Sequence, residues 1–143
     1  MANVLDVAAY ILKECGEMTA MKLQKLVYYS QAWALVWDSK PLFNERIEAW
    51  ANGPVAPDLY NHHRGQFMLG TDSIAGDPNK LEARAKDTID AVLKFYGDKD
   101  ARWLSELTHQ ERPWRDARLG IPEGERGSAE ITPAAMCEYY DSL

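Results

Sequence analysis

The 143-residue sequence has little cysteine, no long apolar run and no excess of positive charge. Its two cysteines, Cys15 and Cys137, lie near opposite ends, without CxxC spacing or a neighbouring histidine. This pattern argues against a zinc site or a disulfide framework and predicts two buried thiols in a reducing compartment. No uninterrupted apolar run exceeds six residues, as in 32–37. The sequence therefore predicts no membrane-spanning segment, and we expect a cytoplasmic protein.

The charge balance is acidic, because 16 Lys and Arg stand against 22 Asp and Glu, giving a formal net charge of −6. Contacts from positive side chains to phosphates supply most of the affinity for nucleic acids, so DNA and RNA partners are disfavoured. A basic protein partner fits this charge better, since complementary potentials speed association. Apolar residues make up 46% of the chain, enough for one core without a structural metal. We expect one domain over residues 1–143 and no cofactor.

Hydrophobic periodicity predicts a mainly α (α+β) fold. The expected architecture is a single compact domain of about six helices around a central helix, with one small two- or three-stranded β-hairpin or sheet. The central helix is predicted from its N-cap, Thr19, to Trp37, because this segment is apolar around most of its circumference. Other helices are predicted at 4–14, 57–64, 79–96, after Asp98, after Thr108 and after Thr132.

Two helix starts are predicted from capping-box patterns, in which an N-cap residue is followed three positions later by glutamate. One pattern is Asn79 with Glu82, and the other is Thr108 with Glu111. Pro113 would then lie in the first helical turn, where its missing N–H costs nothing. We expect the following Trp114 to pin this short helix against the body of the protein.

A β-hairpin is predicted around Asn44, between the apolar pair at 42–43 and the alternating residues at 45–50. The segment 52–54 is interpreted as a turn that connects this strand to the next helix. Gly53 supplies backbone freedom there and Pro54 fixes φ. Such a rigid turn could also present neighbouring side chains to a partner.

Signatures of common enzymes are missing: the sequence has no GxxxxGKS/T, GxGxxG, GxSxG or HExxH pattern. Its only histidine pair is His62-His63, with Asp58 one helical turn before His62. A small metal-dependent hydrolase or nuclease using Asp58, His62 and His63 would need a further ligand that the nearby sequence does not offer. We interpret the pair as solvated side chains at a helix end and expect neither a metal nor an enzyme.

Three ordered segments of the chain are distinctive. They are MKLQKLVYY at 21–29, PLF at 41–43 with IEAWANGPV at 47–55, and LSELTHQERPW at 104–114, with Ile131 and the Tyr139-Tyr140 pair following. In this order they resemble the Panacea domain of SocA-like antitoxins, and the resemblance runs from about residue 1 to residue 140. Asn52 departs from the family pattern, in which an aromatic residue is common at this position.

The resemblance implies a bacterial, often prophage-associated antitoxin of a two-gene toxin–antitoxin system. Such a protein neutralises a cognate toxin, encoded by a neighbouring gene, through direct protein–protein contact. The resemblance also allows an adaptor that delivers its partner to a protease. From the short apolar runs we expect no membrane partner, while a homodimer and a toxin–antitoxin hetero-oligomer both stay open.

The predicted contact surface combines one side of the central helix with the end of the following strand. Lys22, Lys25 and Tyr29 have i, i+3, i+7 spacing and share a helix side distinct from the leucine-rich side. If the leucine-rich side is core, this other side faces outward at least in part. Trp50 and Asn52 lie beside the predicted turn, where a rigid scaffold would position them. We expect the partner to bind at this cluster.

Overall fold

One helix, apolar on nearly every side, lies at the centre of the fold. The computed structural model describes residues 2–143, which form seven α-helices, one 3₁₀ turn and five short strands, and the predicted mainly helical class is confirmed. The helices are α1 (Val4–Cys15), α2 (Ala20–Trp37), α3 (Pro57–His63), α4 (Ala83–Tyr96), α5 (Ala101–Gln110), α6 (Arg112–Ala117) and α7 (Pro133–Asp141). The strands are β1 (Met18–Thr19), β2 (Ile47–Trp50), β3 (Gly53–Val55), β4 (Met68–Leu69) and β5 (Glu130–Ile131), and the 3₁₀ turn is Pro78–Lys80.

Helix α2 is the predicted central helix, and its bounds agree with the prediction. The Thr19 hydroxyl accepts the backbone N–H of Lys22 and so caps the first turn. Helices α1, α4, α5 and α7 and strand β3 all pack against α2. A helix covered on so many sides needs apolar residues around its circumference, which explains its weak amphipathicity. No helix in residues 2–143 is long and apolar enough to cross a membrane.

The β-hairpin lies further along the chain than predicted. Strand β2 pairs with β3 on one side and with the distant β5 on the other, both antiparallel. The reversal falls at 51–52, so Gly53 and Pro54 belong to a strand instead of a turn. Leu42 and Phe43 are buried outside any strand, because the Gln31 amide hydrogen-bonds the Leu42 N–H and the Phe43 carbonyl. With their backbone groups satisfied by a side chain, they need no strand partner.

The segment 65–78, with glycines at 65, 70 and 76, contributes a strand and buried side chains. Its strand β4 pairs with β1 in a second, two-stranded sheet. Leu69 and Ile74 are buried in the core. Gly76 lies against the backbone of Leu5 in α1, where a Cβ atom would clash. This segment therefore packs as part of the fold.

Helix starts in the second half differ from the capping patterns. Helix α4 begins after Glu82, without a side-chain cap, while Asn79 lies in the 3₁₀ turn. Asp100, and not Asp98, caps α5. Near the end of α4, Phe95 points away from the core and is 64% exposed. The neighbouring Tyr96 is buried in its place.

The thiols are less buried than predicted. Cys15 is exposed and Cys137 is half-buried. The Cys137 thiol lies 3.7 Å from the Leu35 carbonyl of α2. No group of three or more His, Cys, Asp or Glu side chains in residues 2–143 is arranged to hold a metal ion.

The second capping box is wrong, because Glu111 has a different role. Thr108 lies inside α5 and its hydroxyl donates to the Ser105 carbonyl, while Pro113 occupies the first turn of α6 as predicted. The Glu111 carboxylate is buried and its Oε1 accepts hydrogen bonds of 2.7 Å from the hydroxyls of Tyr29 and Tyr140.

This buried carboxylate connects α6 to the central helix and to the last helix. The Tyr28 hydroxyl lies 3.0 Å from that of Tyr140, and it is the donor because Tyr140 donates to Glu111. Tyr29 stacks on Tyr96 of α4, with ring centroids 4.2 Å apart. Burial raises the pKa of Glu111 above the usual range, while the two tyrosine hydrogen bonds oppose this shift. A buried carboxylate needs hydrogen-bond donors, and the two tyrosine hydroxyls supply them to Glu111.

We predict that Glu111→Ala lowers the free energy of unfolding by about 2–4 kcal/mol, because two buried hydroxyls lose their acceptor. Glu111→Gln should cost less, since an amide oxygen can accept both hydrogen bonds. The raised pKa means that protonation favours the folded state. Relative to Glu111→Gln, the wild type should therefore gain stability as the pH falls from 7 towards about 4.3.

Urea unfolding of the three proteins between pH 4 and pH 7 measures these differences. Glu106→Ala, at an exposed glutamate on α5, is the matched control and should change stability by less than about 0.5 kcal/mol. Equal stability of Glu111→Ala and the wild type would contradict the role given to this carboxylate.

Candidate partner-binding site

A groove of about 870 Å³ lies beside the β2–β3 hairpin. The first turn of α2, the end of α3 and two loops form the rest of its wall. Its lining combines seven apolar or aromatic residues with seven polar or charged ones and two glycines. The lining residues are Ala20, Met21, Gln24, Glu48, Trp50, Ala51, Asn52, Val55, Tyr60, His63, Gly65, Gln66, Phe67, Arg126, Gly127 and Ser128.

Aromatic rings form one continuous wall of this groove. The half-buried Trp50 meets Tyr60 edge to face, with ring centroids 4.9 Å apart, and Tyr60 contacts His63 in the same way. Phe67 lies at the rim with 74% of its surface exposed, although its carbonyl is fixed by the Ala20 N–H. Exposed aromatic rings on a fixed backbone are typical anchors in protein interfaces.

Side chains from α5 and α6 hold the backbone of the hairpin. The Trp114 indole donates to the Trp50 carbonyl at 2.8 Å, and the Ser105 hydroxyl donates to the Asn52 carbonyl at 3.1 Å. The buried Arg118, just beyond α6, donates to the Ala49 carbonyl at 3.0 Å. These bonds replace pairings that so short a sheet cannot provide.

Helix α2 holds the other side of the hairpin in the same way. The Gln24 amide accepts the Ala56 N–H at 2.9 Å and donates to the Ala56 carbonyl at 3.3 Å, as a neighbouring strand would. The Lys25 ammonium group lies 3.3 Å from the Pro54 carbonyl, to which it donates. Both residues belong to the KLQKL segment, so the hairpin edge is closed by side chains of the central helix.

Gly53 is required by both backbone conformation and space. Its φ of +125° lies in a region that other residues rarely adopt. A Cβ atom there would stand 2.5 Å from Cε of Lys25 and 3.1 Å from the Thr108 hydroxyl. Gly53 therefore lets α2 and α5 approach the hairpin closely, and Pro54 follows it as the residue whose carbonyl Lys25 binds.

Trp114 pins α6 to this hairpin as predicted. Its side chain is buried, and the His109 ring stacks on it with centroids 4.0 Å apart. The Arg118 guanidinium lies over the ring, 5.2 Å from its centroid. Pro113 precedes it in the first turn of α6. Together with the hydrogen bond from the indole N–H to the Trp50 carbonyl, these contacts give the distinctive segment at 104–114 its structural role.

The predicted outward side of α2 is wrong for two of its three residues. Lys25 is 0% exposed and Tyr29 lies in the core beneath α4 and α7, because β3, α4 and α7 cover this side of the helix. Lys22 is half-buried and its ammonium group donates to the Gly97 carbonyl at 2.6 Å. Trp50 and Asn52 line the groove, and their contact with a partner stays a prediction.

The proposed hydrolase residues do not meet in one site. Asp58 and His62 line a separate small pocket, and His63 is buried at the floor of the groove. The expectation that both histidines are solvated is therefore wrong for His63. The Gln24 amide nitrogen, a donor, lies 3.0 Å from Nε2 of His63. Nε2 of His63 must therefore accept this hydrogen bond, so the His63 ring is neutral. This agrees with the pKa of His63, which burial lowers.

Several groove residues were not predicted from the sequence. Tyr60 and Phe67 reach the groove from α3 and the loop that follows it, and Arg126 reaches it from a segment far along the chain. Phe67 carries the only local signal, since an aromatic residue close to glycines at 65 and 70 is unusual in a surface loop. Gln24 shows no such signal, because its partner Ala56 lies on another element.

The fold is a mainly helical domain with a concave groove beside its hairpin. A family model described as the antitoxin SocA-like, Panacea domain matches residues 23–115. The match covers more than half of the chain, which therefore belongs to this family of antitoxin-like domains. Comparisons with curated proteins and with solved structures found no match.

We predict that the free-energy cost of burying the Lys25 side chain falls as the pH rises. Burial lowers the pKa of its ammonium group from 10.5 to about 7. Between pH 7 and about pH 10 the unfolded chain binds a proton that the folded chain does not, so wild-type stability rises with pH. Lys25→Met removes this dependence. Its stability advantage should shrink by about 1.4 kcal/mol for each pH unit in this window.

Chemical unfolding at pH 6 to 9 measures the difference between the two proteins. Lys40→Met, at an exposed lysine, is the matched control for the loss of a lysine charge. A constant difference between Lys25→Met and the wild type across this range would mean that the ammonium group is not held in an apolar environment.

Proposed function

We propose that the chain is the antitoxin of a two-gene toxin–antitoxin system and neutralises its cognate toxin in the cytoplasm by direct contact at the groove. The observation that carries the proposal is the aromatic groove beside a hairpin whose backbone is already fixed. Membership of the SocA-like family supports an antitoxin-like role in general. To this general role we add a specific toxin-binding surface, the groove, with Trp50 and Asn52 at its centre.

The rigidity of the hairpin supports tight binding. Association costs free energy when loops and side chains become ordered, and a preformed surface avoids much of this cost. Side chains hydrogen-bond the carbonyls of Ala49, Trp50, Asn52 and Pro54 in the unbound chain. Asn52 is exposed at the tip of the hairpin, where a partner can reach it.

The composition of the groove also supports a protein partner. Trp and Tyr are enriched among residues whose truncation costs most binding energy, and Trp50 and Tyr60 lie here in mutual contact. The polar residues Asn52, Gln66 and Ser128 line the same groove. An aromatic centre with polar surroundings is the usual composition of a protein interface. We further propose that residues 1–143 act as one unit, since Tyr140 of α7 bonds Glu111 within the matched region.

We predict that the double variant Trp50→Leu/Asn52→Arg binds the toxin at least tenfold more weakly, a loss of about 1.4 kcal/mol. The partner in this test is the product of the neighbouring gene. The variant should stay folded, with a melting temperature within a few degrees of the wild type, because both side chains are at least partly exposed. Calorimetric titration measures the affinity.

Growth provides the functional measurement. Co-expression of the wild-type chain should rescue cells that the neighbouring gene product alone arrests, and the double variant should not. Trp37→Leu is the control, because this exposed tryptophan lies at the opposite end of α2. A harmless neighbouring gene product, or full rescue by the folded double variant, would contradict the proposal.

A further inference from the structure

Three side chains are linked beside the groove, Arg46 just before β2 and Glu48 and Trp50 within it. They are spaced by two residues and so lie on the same side of the chain. The Trp50 indole N–H donates to Oε1 of Glu48 at 2.9 Å. The Arg46 guanidinium forms an ion pair with the other oxygen, Oε2, which lies 3.0 Å from its Nε. Both oxygens of Glu48 therefore have a partner within the chain.

The same arginine also bonds the segment that precedes β5 and runs beside β2. Its terminal nitrogen Nη2 donates to the Ser128 carbonyl at 3.2 Å. Ser128 belongs to the loop that precedes β5 and lines the groove together with Arg126. The guanidinium thus fixes the position of this loop relative to the carboxylate that holds Trp50.

An ion pair so close to the surface contributes little to stability by itself. Its effect here is on geometry, because the indole of Trp50 can rotate about two side-chain bonds. The backbone of Trp50 is fixed through Trp114, and one side of the ring rests on Tyr60. The bond to Glu48 fixes the remaining freedom, which is the direction of the indole N–H.

We propose that Glu48 and Arg46 are positioning residues that set the orientation of the Trp50 indole for partner binding. The inference rests on the proposed function of the groove. Glu48 acts through Trp50 and does not contact the partner itself. Its side chain is only 16% exposed, and its two oxygens already have partners, the Trp50 indole N–H and the Arg46 guanidinium.

Two substitutions at Glu48 separate geometry from charge. Glu48→Gln keeps an oxygen that can accept the indole N–H, whereas Glu48→Leu removes the acceptor. Leucine also suits a strand and relieves the pairing of Glu48 with Glu130 directly opposite on β5. Both variants are therefore expected to fold. Glu48→Leu should weaken toxin binding at least tenfold, and Glu48→Gln by less than threefold.

A double-mutant cycle with Trp50→Leu tests whether the effect passes through the indole. In the Trp50→Leu background, Glu48→Leu should change the affinity by less than twofold. The nuclear magnetic resonance signal of the Trp50 indole N–H gives a readout without the toxin. This signal should move upfield in Glu48→Leu and stay near its wild-type position in Glu48→Gln.

The outcomes distinguish the positioning role from the proposed site. An equal loss from Glu48→Leu in both backgrounds would overturn the inference, because Glu48 would then contact the toxin directly. Wild-type affinity of Glu48→Leu, or an indole signal that does not move, would overturn it as well. Full affinity of Trp50→Leu alone would instead contradict the proposed function of the groove.

Discussion

The hydrogen bonds from helix side chains to the β2–β3 hairpin are the constraint on which the site depends. A two-stranded hairpin of this length is not stable alone, and its third strand adds only two residues. Trp114 and Arg118 bind its carbonyls from one side, while Gln24 and Lys25 bind the other. The helices therefore determine the shape of the hairpin, and the hairpin positions Trp50 at the groove. The three family-like segments meet at this one place, which gives their joint occurrence a physical reason.

Features that depend on local interactions could be predicted from the sequence. The bounds of α2 follow from the Thr19 cap and from a segment apolar on all sides, and α1 ends at the glycine that follows it, Gly16. Thr132 and Pro133 start α7 for the same reason. The end of β2 at Trp50 also agrees with the strand predicted at 45–50. In each case the deciding contact lies within a few residues along the chain.

Features that depend on distant contacts could not be predicted. Periodicity located the apolar side of α2 but could not show that β3 and α7 cover the side carrying Lys25 and Tyr29. Lysine is normally a surface residue, so its residue type alone would not predict that Lys25 is buried against the Pro54 carbonyl. Glu111 matched a capping box locally, yet two tyrosine hydroxyls from α2 and α7 bind it. The wall of the groove likewise combines segments more than 70 residues apart.

The central claim is that the hairpin is already ordered before the toxin binds and that the groove beside it is the contact surface. Amide hydrogen exchange, measured on the chain alone and with the toxin in excess, tests both parts together. The account predicts slow exchange at 47–55 in the free chain, and added protection at 60–67 and 126–128 in the complex. Fast exchange of the free hairpin, or added protection confined to the far end of α2 around Trp37, would contradict it.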